Sequence, residues 1–247
     1  MSQGTPNVTS QQFDELFRAL SNWGRWGRED QRGAVNHLTP ERLIAAAGLV
    51  RDGATVTLSL PLNTQAAMHN PKPADHYMTE ISPPDAAPQS VHFLKDYVGA
   101  DYHNDGHSHI DALCHVAYEG LTYNGRSAGA VTDDGAEDNT IEVLASGLIG
   151  RGVLLDIPRL HGLPWLEPGE HVLKDDLEAA ERAQRVTDFP IHVLALAAMG
   201  IRLLDYLQFE DLRAACEETA RWEFLFVASP LRIEGGTGSP INPTAVF

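Results

Sequence analysis

The feature that most constrains this chain is the fifteen-residue run Asp101-Tyr102-His103-Asn104-Asp105-Gly106-His107-Ser108-His109-Ile110-Asp111-Ala112-Leu113-Cys114-His115. Four of the eleven histidines fall in its last thirteen positions, and His103, Asp105, His107, His109, Asp111 and His115 share odd parity. On a strand, residues two apart share a face, with roughly 6.6–7 Å between their Cα atoms, so alternate side chains can converge on one ion. A single flat strand would leave His107 and Asp111 about 13 Å apart at Cα, too far to share it. Two arrangements resolve this. Either two ions are held, or the strand turns into a helix near Asp111 and places Asp111 and His115 one turn apart on one face. Ala112, Leu113, Cys114 and Val116 in the same stretch argue for burial rather than a solvated face.

Imidazole with carboxylate is ligand chemistry for Zn²⁺, Mn²⁺ or Fe²⁺, whereas Mg²⁺ and Ca²⁺ favour oxygen alone. An ion held by three such groups keeps a position open for water and lowers that water's pKa. The balance of charge agrees. With 18 Lys and Arg against 34 Asp and Glu, the net charge is −16, which attracts cations and repels phosphate backbones and anionic lipid. Nucleic acid and membrane are therefore not expected partners; a small-molecule substrate is. No apolar run reaches membrane-spanning length, and Met1 to Gln12 lacks the pattern of a secretory signal. Cys114 and Cys216, far apart, give no disulfide framework and suit a reducing, cytoplasmic setting. Cys114 reads as a small packing residue rather than a nucleophile, because its neighbour His115 faces another direction.

Along the chain, 1–12 reads as a flexible tail and 13–247 as one mixed α/β domain, with neither repeats nor low-complexity tracts. Thr39-Pro40-Glu41 announces a helix running to about Leu49, with Thr39 as N-cap and Pro40 in the first turn. The alternation of Val56, Leu58 and Leu60 predicts a strand over 54–62. The Pro-, Asn- and Asp-rich stretch 63–90, carrying His69 and His76, reads as a long loop. Helices are expected over 141–148, 175–184, 192–199 and 209–218, and buried strands over 153–157 and 224–227. Gly235-Gly236-Thr237-Gly238-Ser239 lacks the lysine of a phosphate loop and reads as a tight turn. Trp23 and Trp26 are costly to expose and should pack, or else line a pocket with the 63–90 loop. Ser108 is either a substrate-orienting hydroxyl or a turn hydroxyl.

With these residues in view, the chain resembles the cyclase family of metal-dependent hydrolases, the family of bacterial kynurenine formamidase and isatin hydrolase. That family's signature is H-x-G-T-H-x-D-x-x-x-H. Ser108-His109-Ile110-Asp111-Ala112-Leu113-Cys114-His115 matches its second half with Ser for Thr; Asp105 and His107 stand where its first His and its Gly belong. Trp23 to Gly27, Gly33 to Pro40, Gly150 to Asp156 and Phe224 to Pro243 are similar to the long-chain branch of the family, relative to which a stretch near 186–190 is shortened. The resemblance implies a compact domain of swivelling β/β/α type around a barrel-like sheet, assembling as a homo-oligomer. It implies amide-type hydrolysis of a cyclic amide or arylformamide with Zn or Mn. His109 and Asp111 would be metal ligands, with His107 or His103 completing the set and His192 and Asp205 matching the family's later ligands. His115 would carry protons, and Trp23, Trp26, His76 and Ser108 would meet substrate. The alternative is a catalytically silent homologue that binds a metal or small molecule; nothing in the sequence speaks for a polyketide-type cyclase.

Overall fold

The computed structural model describes residues 9–88, 90–103, 106–167, 170, 172, 175–177, 179–180 and 193–247. The first helix, α1 (Ser10–Leu20), starts three residues earlier than the tail reading of 1–12 allows. Thr9 and Gln12 form a reciprocal capping box, which satisfies two backbone N–H groups and lets the helix begin at Ser10. Its apolar side sets Phe17 against Trp23 and Tyr118. Helix α2 (Pro40–Ala47) begins as the sequence predicts, capped by the Thr39 hydroxyl with Pro40 in its first turn.

The strands are β1 (Thr55–Thr57), β2 (Asp75–Glu80), β3 (Lys95–Gly99), β4 (His109–Asp111), β5 (Leu121–Thr122), β6 (Arg126–Ser127), β7 (Val131–Thr132), β8 (Gly135–Ala136), β9 (Leu148–Val153), β10 (Leu204–Asp205), β11 (Glu223–Ala228), β12 (Gly238–Pro240) and β13 (Thr244–Val246). Helices α3 (Ile157–Leu160) and α4 (Glu210–Thr219) lie between β9 and β11 in sequence, on either side of β10. Mixed α/β is therefore right as a class. The barrel-like sheet is not found: the described strands form a four-stranded sheet ordered β1-β13-β11-β9, a three-stranded sheet ordered β10-β4-β12, and three ribbons, with no closed ladder among them. Strands of two or three residues around β4 are too short to carry the pairing around a closed circuit.

Several element boundaries depart from the sequence reading for local reasons. The strand expected over 153–157 runs instead from Leu148 to Val153, and Ile141–Leu144 is one 3-10 turn rather than a helix to 148. Gly152 sits inside β9, where a Cβ would lie 2.2 Å from the Phe224 ring of β11. The 63–90 loop contains β2, half of an antiparallel ribbon with β3. Residues 193–199 form a wide, π-type helix that stops at Gly200, whose φ of 66° suits glycine. The helix expected over 175–184 lies partly outside the described residues, and 175–177 are helical. Among the described residues no helix is long and apolar enough to cross a membrane.

Two apolar clusters support the sheets. One holds Ile110 and Ala112 of the histidine-rich segment against Ile141, Leu144 and Ala228. The other packs Leu212 and Cys216 of α4 on Phe224, Ala245 and Phe247. Phe247 is fully buried, its N–H donates to the Ala54 carbonyl, and its own carbonyl accepts from the N–H groups of Asp52 and Gly53. Phe247→Ala should therefore lower the unfolding free energy by about 3–5 kcal/mol, seen as a lower urea midpoint with unchanged slope.

Candidate metal centre

Strand β4 is the middle strand of its sheet, and its three residues divide by parity. Ile110 turns into the core, while His109 and Asp111 turn to the opposite face. Antiparallel pairing places Asp205 of β10 opposite His109 and Gly238 of β12 opposite Asp111. His103, arriving from the preceding segment, lies over β12 with its Nδ1 3.2 Å from Asp111 Oδ1. His109 Nε2 is 3.6 Å from the same oxygen. Ligand atoms of His103, His109 and Asp111 all lie within 4.8 Å of one another.

The imidazoles are held in defined orientations. His109 Nδ1 lies 2.8 Å from the His107 carbonyl, which can only accept, so Nδ1 carries a proton and Nε2 is the nitrogen that faces Asp111. His103 Nε2 meets the Thr237 hydroxyl at 3.2 Å, leaving Nδ1 toward the carboxylate. Gly238 makes room for this: a Cβ there would come within 2.7 Å of both His103 Cε1 and the Ile110 carbonyl oxygen. The glycine-rich stretch read as a tight turn is thus also the bed on which a histidine lies.

Asp111 is 1% exposed. Burial pushes its carboxyl upward, but the hydrogen bond from His103 and the fields of His115, His109 and His103 outweigh this and hold it below the usual carboxylate range. Three lone-pair-bearing atoms this close repel unless a cation or protons lie between them. Ligands of a tetrahedral ion at bond lengths near 2.1 Å would stand roughly 3.4 Å apart. The observed separations of 3.2 and 3.6 Å fit that spacing, and two imidazoles with one carboxylate suit a transition-metal dication.

After Asp111 the chain makes a turn, not a helix, with the His115 N–H donating to the Ala112 carbonyl. That turn still brings His115 back. Its ring stacks on His103 at 4.1 Å with a 4° interplanar angle, and its Nε2 lies 4.0 Å from Asp111 Oδ1. Asp205 Oδ2 lies 3.9 Å from His109 Nε2. His107 takes another direction: it precedes the strand, so strand parity does not reach it, and its Nε2 donates to the Lys72 carbonyl. Asp105 and His192 lie outside the described residues.

The residues expected to meet substrate have structural partners. The Ser108 hydroxyl donates to the Tyr206 carbonyl and accepts from the Leu60 N–H. The Trp23 indole donates to the Ala197 carbonyl, Trp26 meets the His37 ring edge-on, and His76 lies on the exposed β2–β3 ribbon against Asp96. Two tyrosines escaped the sequence reading. The Tyr102 ring lies 4.6 Å from His103 and its hydroxyl donates to the Gly238 carbonyl. Tyr206 stacks on His109 at 6.2 Å with φ of 55°, a left-handed conformation rare for a bulky residue. Its position directly after Asp205 was the only available signal. Tyr206 also lines a cavity of about 450 Å³ with Leu60 to Thr64, His69, Asn70 and Gly106, whose lining includes no residue of the cluster and is linked to it through the Tyr206 ring beside His109. An apolar cavity of about 400 Å³ between Leu154, Trp165 and Phe209 includes no residue of the cluster. Burial pushes the Cys114 thiol up to about 11, in keeping with a packing role.

No protein-family model matches the chain, and no curated relative was found. Among solved structures it is similar to a crystal structure described as a novel cyclase, with 28% sequence identity and a TM-score of 0.81 over 92% of this chain and 99% of that one. This likeness, in sequence as well as fold, supports the resemblance to the cyclase family.

Two outcomes follow from the geometry. Thr237→Val removes the hydroxyl that orients His103 and should weaken divalent-metal affinity about 10–100-fold with unchanged circular dichroism, measured by competition with a chromogenic chelator. Cys114, buried and with its thiol near 11, should resist iodoacetamide in native protein at pH 8 and react readily in denaturant, as mass spectrometry would show.

Proposed function

We propose that the chain is a cyclase-type enzyme acting as a metal-dependent hydrolase on the C–N bond of a small amide, a cyclic amide or an arylformamide. The observation that carries this is the convergence of His103, His109 and Asp111 on one point, with His115 stacked at its rim. The similarity to a structure described as a novel cyclase supports the class, and a small-molecule substrate is in keeping with the half-open cavity beside Tyr206.

His103 Nδ1, His109 Nε2 and the Asp111 carboxylate would hold the ion, Zn²⁺ or Mn²⁺, with Asp205 opposite His109. Such an ion supplies Lewis acidity, which acidifies water and polarises a carbonyl. The remaining work belongs to the chain. The buried Asp111 carboxylate would offset the ion's charge, and the His107 carbonyl, by holding His109 Nδ1, would keep Nε2 turned toward it. His115 Nε2, on the partly exposed side, is placed to take the proton from the attacking water and return it to the leaving nitrogen. Water's hydroxyl thus ends on the carbonyl carbon and its proton on nitrogen, and the C–N bond breaks.

Metal analysis of the purified protein, beside hydrolysis assays on arylformamides and cyclic amides, tests this. His109→Ala/Asp111→Ala should lose both metal and hydrolysis. His115→Ala should keep the metal while its turnover falls about 10²–10⁴-fold. A native protein that takes up no divalent ion even on reloading, or a His115→Ala variant with full activity, would overturn the mechanism. Metal retained with no hydrolysis of either amide class would favour the silent binding homologue.

A further inference from the structure

Position 206 is a costly place for a tyrosine. Its φ of 55° lies in the left-handed region, which glycine and asparagine enter with little penalty and a bulky residue does not. Such a backbone persists only where its surroundings over-determine it, and here they do. On one side Asp205 pairs with His109 across β10 and β4. On the other, Leu207 bridges to Ser59, and the Gln208 N–H donates to the Leu58 carbonyl at 2.8 Å. Between them the Tyr206 carbonyl accepts from the Ser108 hydroxyl, which itself accepts from the Leu60 N–H. The ring fixed in this way is 43% exposed, so it adds little to the core.

That ring joins two features. It lies 25° from parallel with the His109 imidazole, and it forms part of the wall of the half-open 450 Å³ cavity. The remaining wall has a consistent chemistry. Leu60, Pro61 and Leu62 are apolar, and none of the cavity's lining residues is Asp, Glu, Lys or Arg, although the chain's net charge is −16. Asn70, 1% exposed, stiffens the lining loop by donating from its amide to the Asn63 and Gln65 carbonyls. An ion entering such a space would lose hydration without meeting a counter-charge, so the cavity suits a neutral guest.

We infer that Tyr206 is a specificity-determining residue of the centre, the surface against which a neutral amide lays a flat aromatic ring, with its amide group turned toward His109. Aromatic rings gain from offset or edge-on contact in a way that a puckered saturated ring of the same size does not. Glycine or asparagine at 206 would relieve the backbone but remove the ring, and the strain is retained for this contact. The inference deepens the hydrolase reading and rests on it for the reaction, but its test reads binding, which needs no turnover.

Benzamide and cyclohexanecarboxamide carry the same amide on a flat and a puckered six-membered ring. Ligand-observed NMR titration of the full chain reloaded with Zn²⁺ should show benzamide binding about three- to tenfold more tightly. Tyr206→Asn, which suits the left-handed backbone and so preserves the fold, should bring that ratio to about one. Tyr206→Phe, which keeps the ring, should retain the preference. Competition with a chromogenic chelator separates a merely structural role: Tyr206→Asn should hold divalent metal as tightly as the wild type. Equal affinities in the wild type, no binding of benzamide, or a preference that survives Tyr206→Asn or is lost in Tyr206→Phe would each overturn the inference. So would weaker metal binding in Tyr206→Asn, since the ring would then serve only to hold His109. The expected binding pattern without hydrolysis of any arylformamide would uphold the role of Tyr206 and overturn the hydrolase reading alone.

Discussion

The molecule is organised around the cost of burying one carboxylate. Asp111 is almost fully enclosed, and an ionised carboxylate in such a place is tolerated only when positive charge and donors surround it. Three imidazoles do so, from His103, His109 and His115. The backbone around Asp111 is pinned from both sides: its own N–H donates to the Leu203 carbonyl, and the next N–H, of Ala112, donates to Thr237. Each neighbouring strand therefore serves twice, once as a ladder partner of β4 and once as a source of side chains or space. β10 brings Asp205 opposite His109, and β12 brings Gly238, whose missing side chain admits the His103 ring.

How far the sequence spoke depends on whether the deciding force is local. Parity within one strand is local, and His109 with Asp111 was legible because alternation on β4 needs only backbone geometry. His107 shares that parity but lies before the strand, where a contact with the Lys72 carbonyl, 35 positions away, turns its ring elsewhere. Gly152 likewise answers to a distant residue: the Phe224 ring of the adjoining strand occupies the space a side chain would need. Capped helices such as α2 were readable, since Thr39 and Pro40 act within one turn. The β2–β3 ribbon was hidden by composition: prolines and asparagines around it spoke for a loop, while strand pairing across twenty residues decided otherwise.

The glycine-rich stretch near the C-terminus shows why motif context outweighs composition. Without a lysine and a strand-to-helix turn it cannot cradle phosphate, and the structure gives it a different use. Gly238 lies in an antiparallel strand, and what approaches its Cα closely is a histidine ring. Thr237, beside it, supplies the hydroxyl that fixes that ring's orientation. A residue with a Cβ at 238 would push His103 away from Asp111, so the stretch acts on the centre through packing at Gly238 and through the hydrogen bond from Thr237.

The turn after Asp111 separates two sheltered histidines from an exposed one. In a helix, His115 would lie over Asp111 with its neighbours wound beside it; here Leu113 and Cys114 are buried and anchor the turn instead. The Cys114 N–H donates to the Asn139 carbonyl, so the turn is tied to a segment that does not itself touch the histidines. With two consecutive side chains directed inward, the next residue is thrown to the surface, and its ring finds His103 to stack on. His103 and His109 are thereby sheltered, as the proposed ligands would need to be, whereas His115 keeps contact with water, as the proposed proton carrier would require. Cys114, adjacent to it, is excluded from chemistry by the same burial that sets the turn.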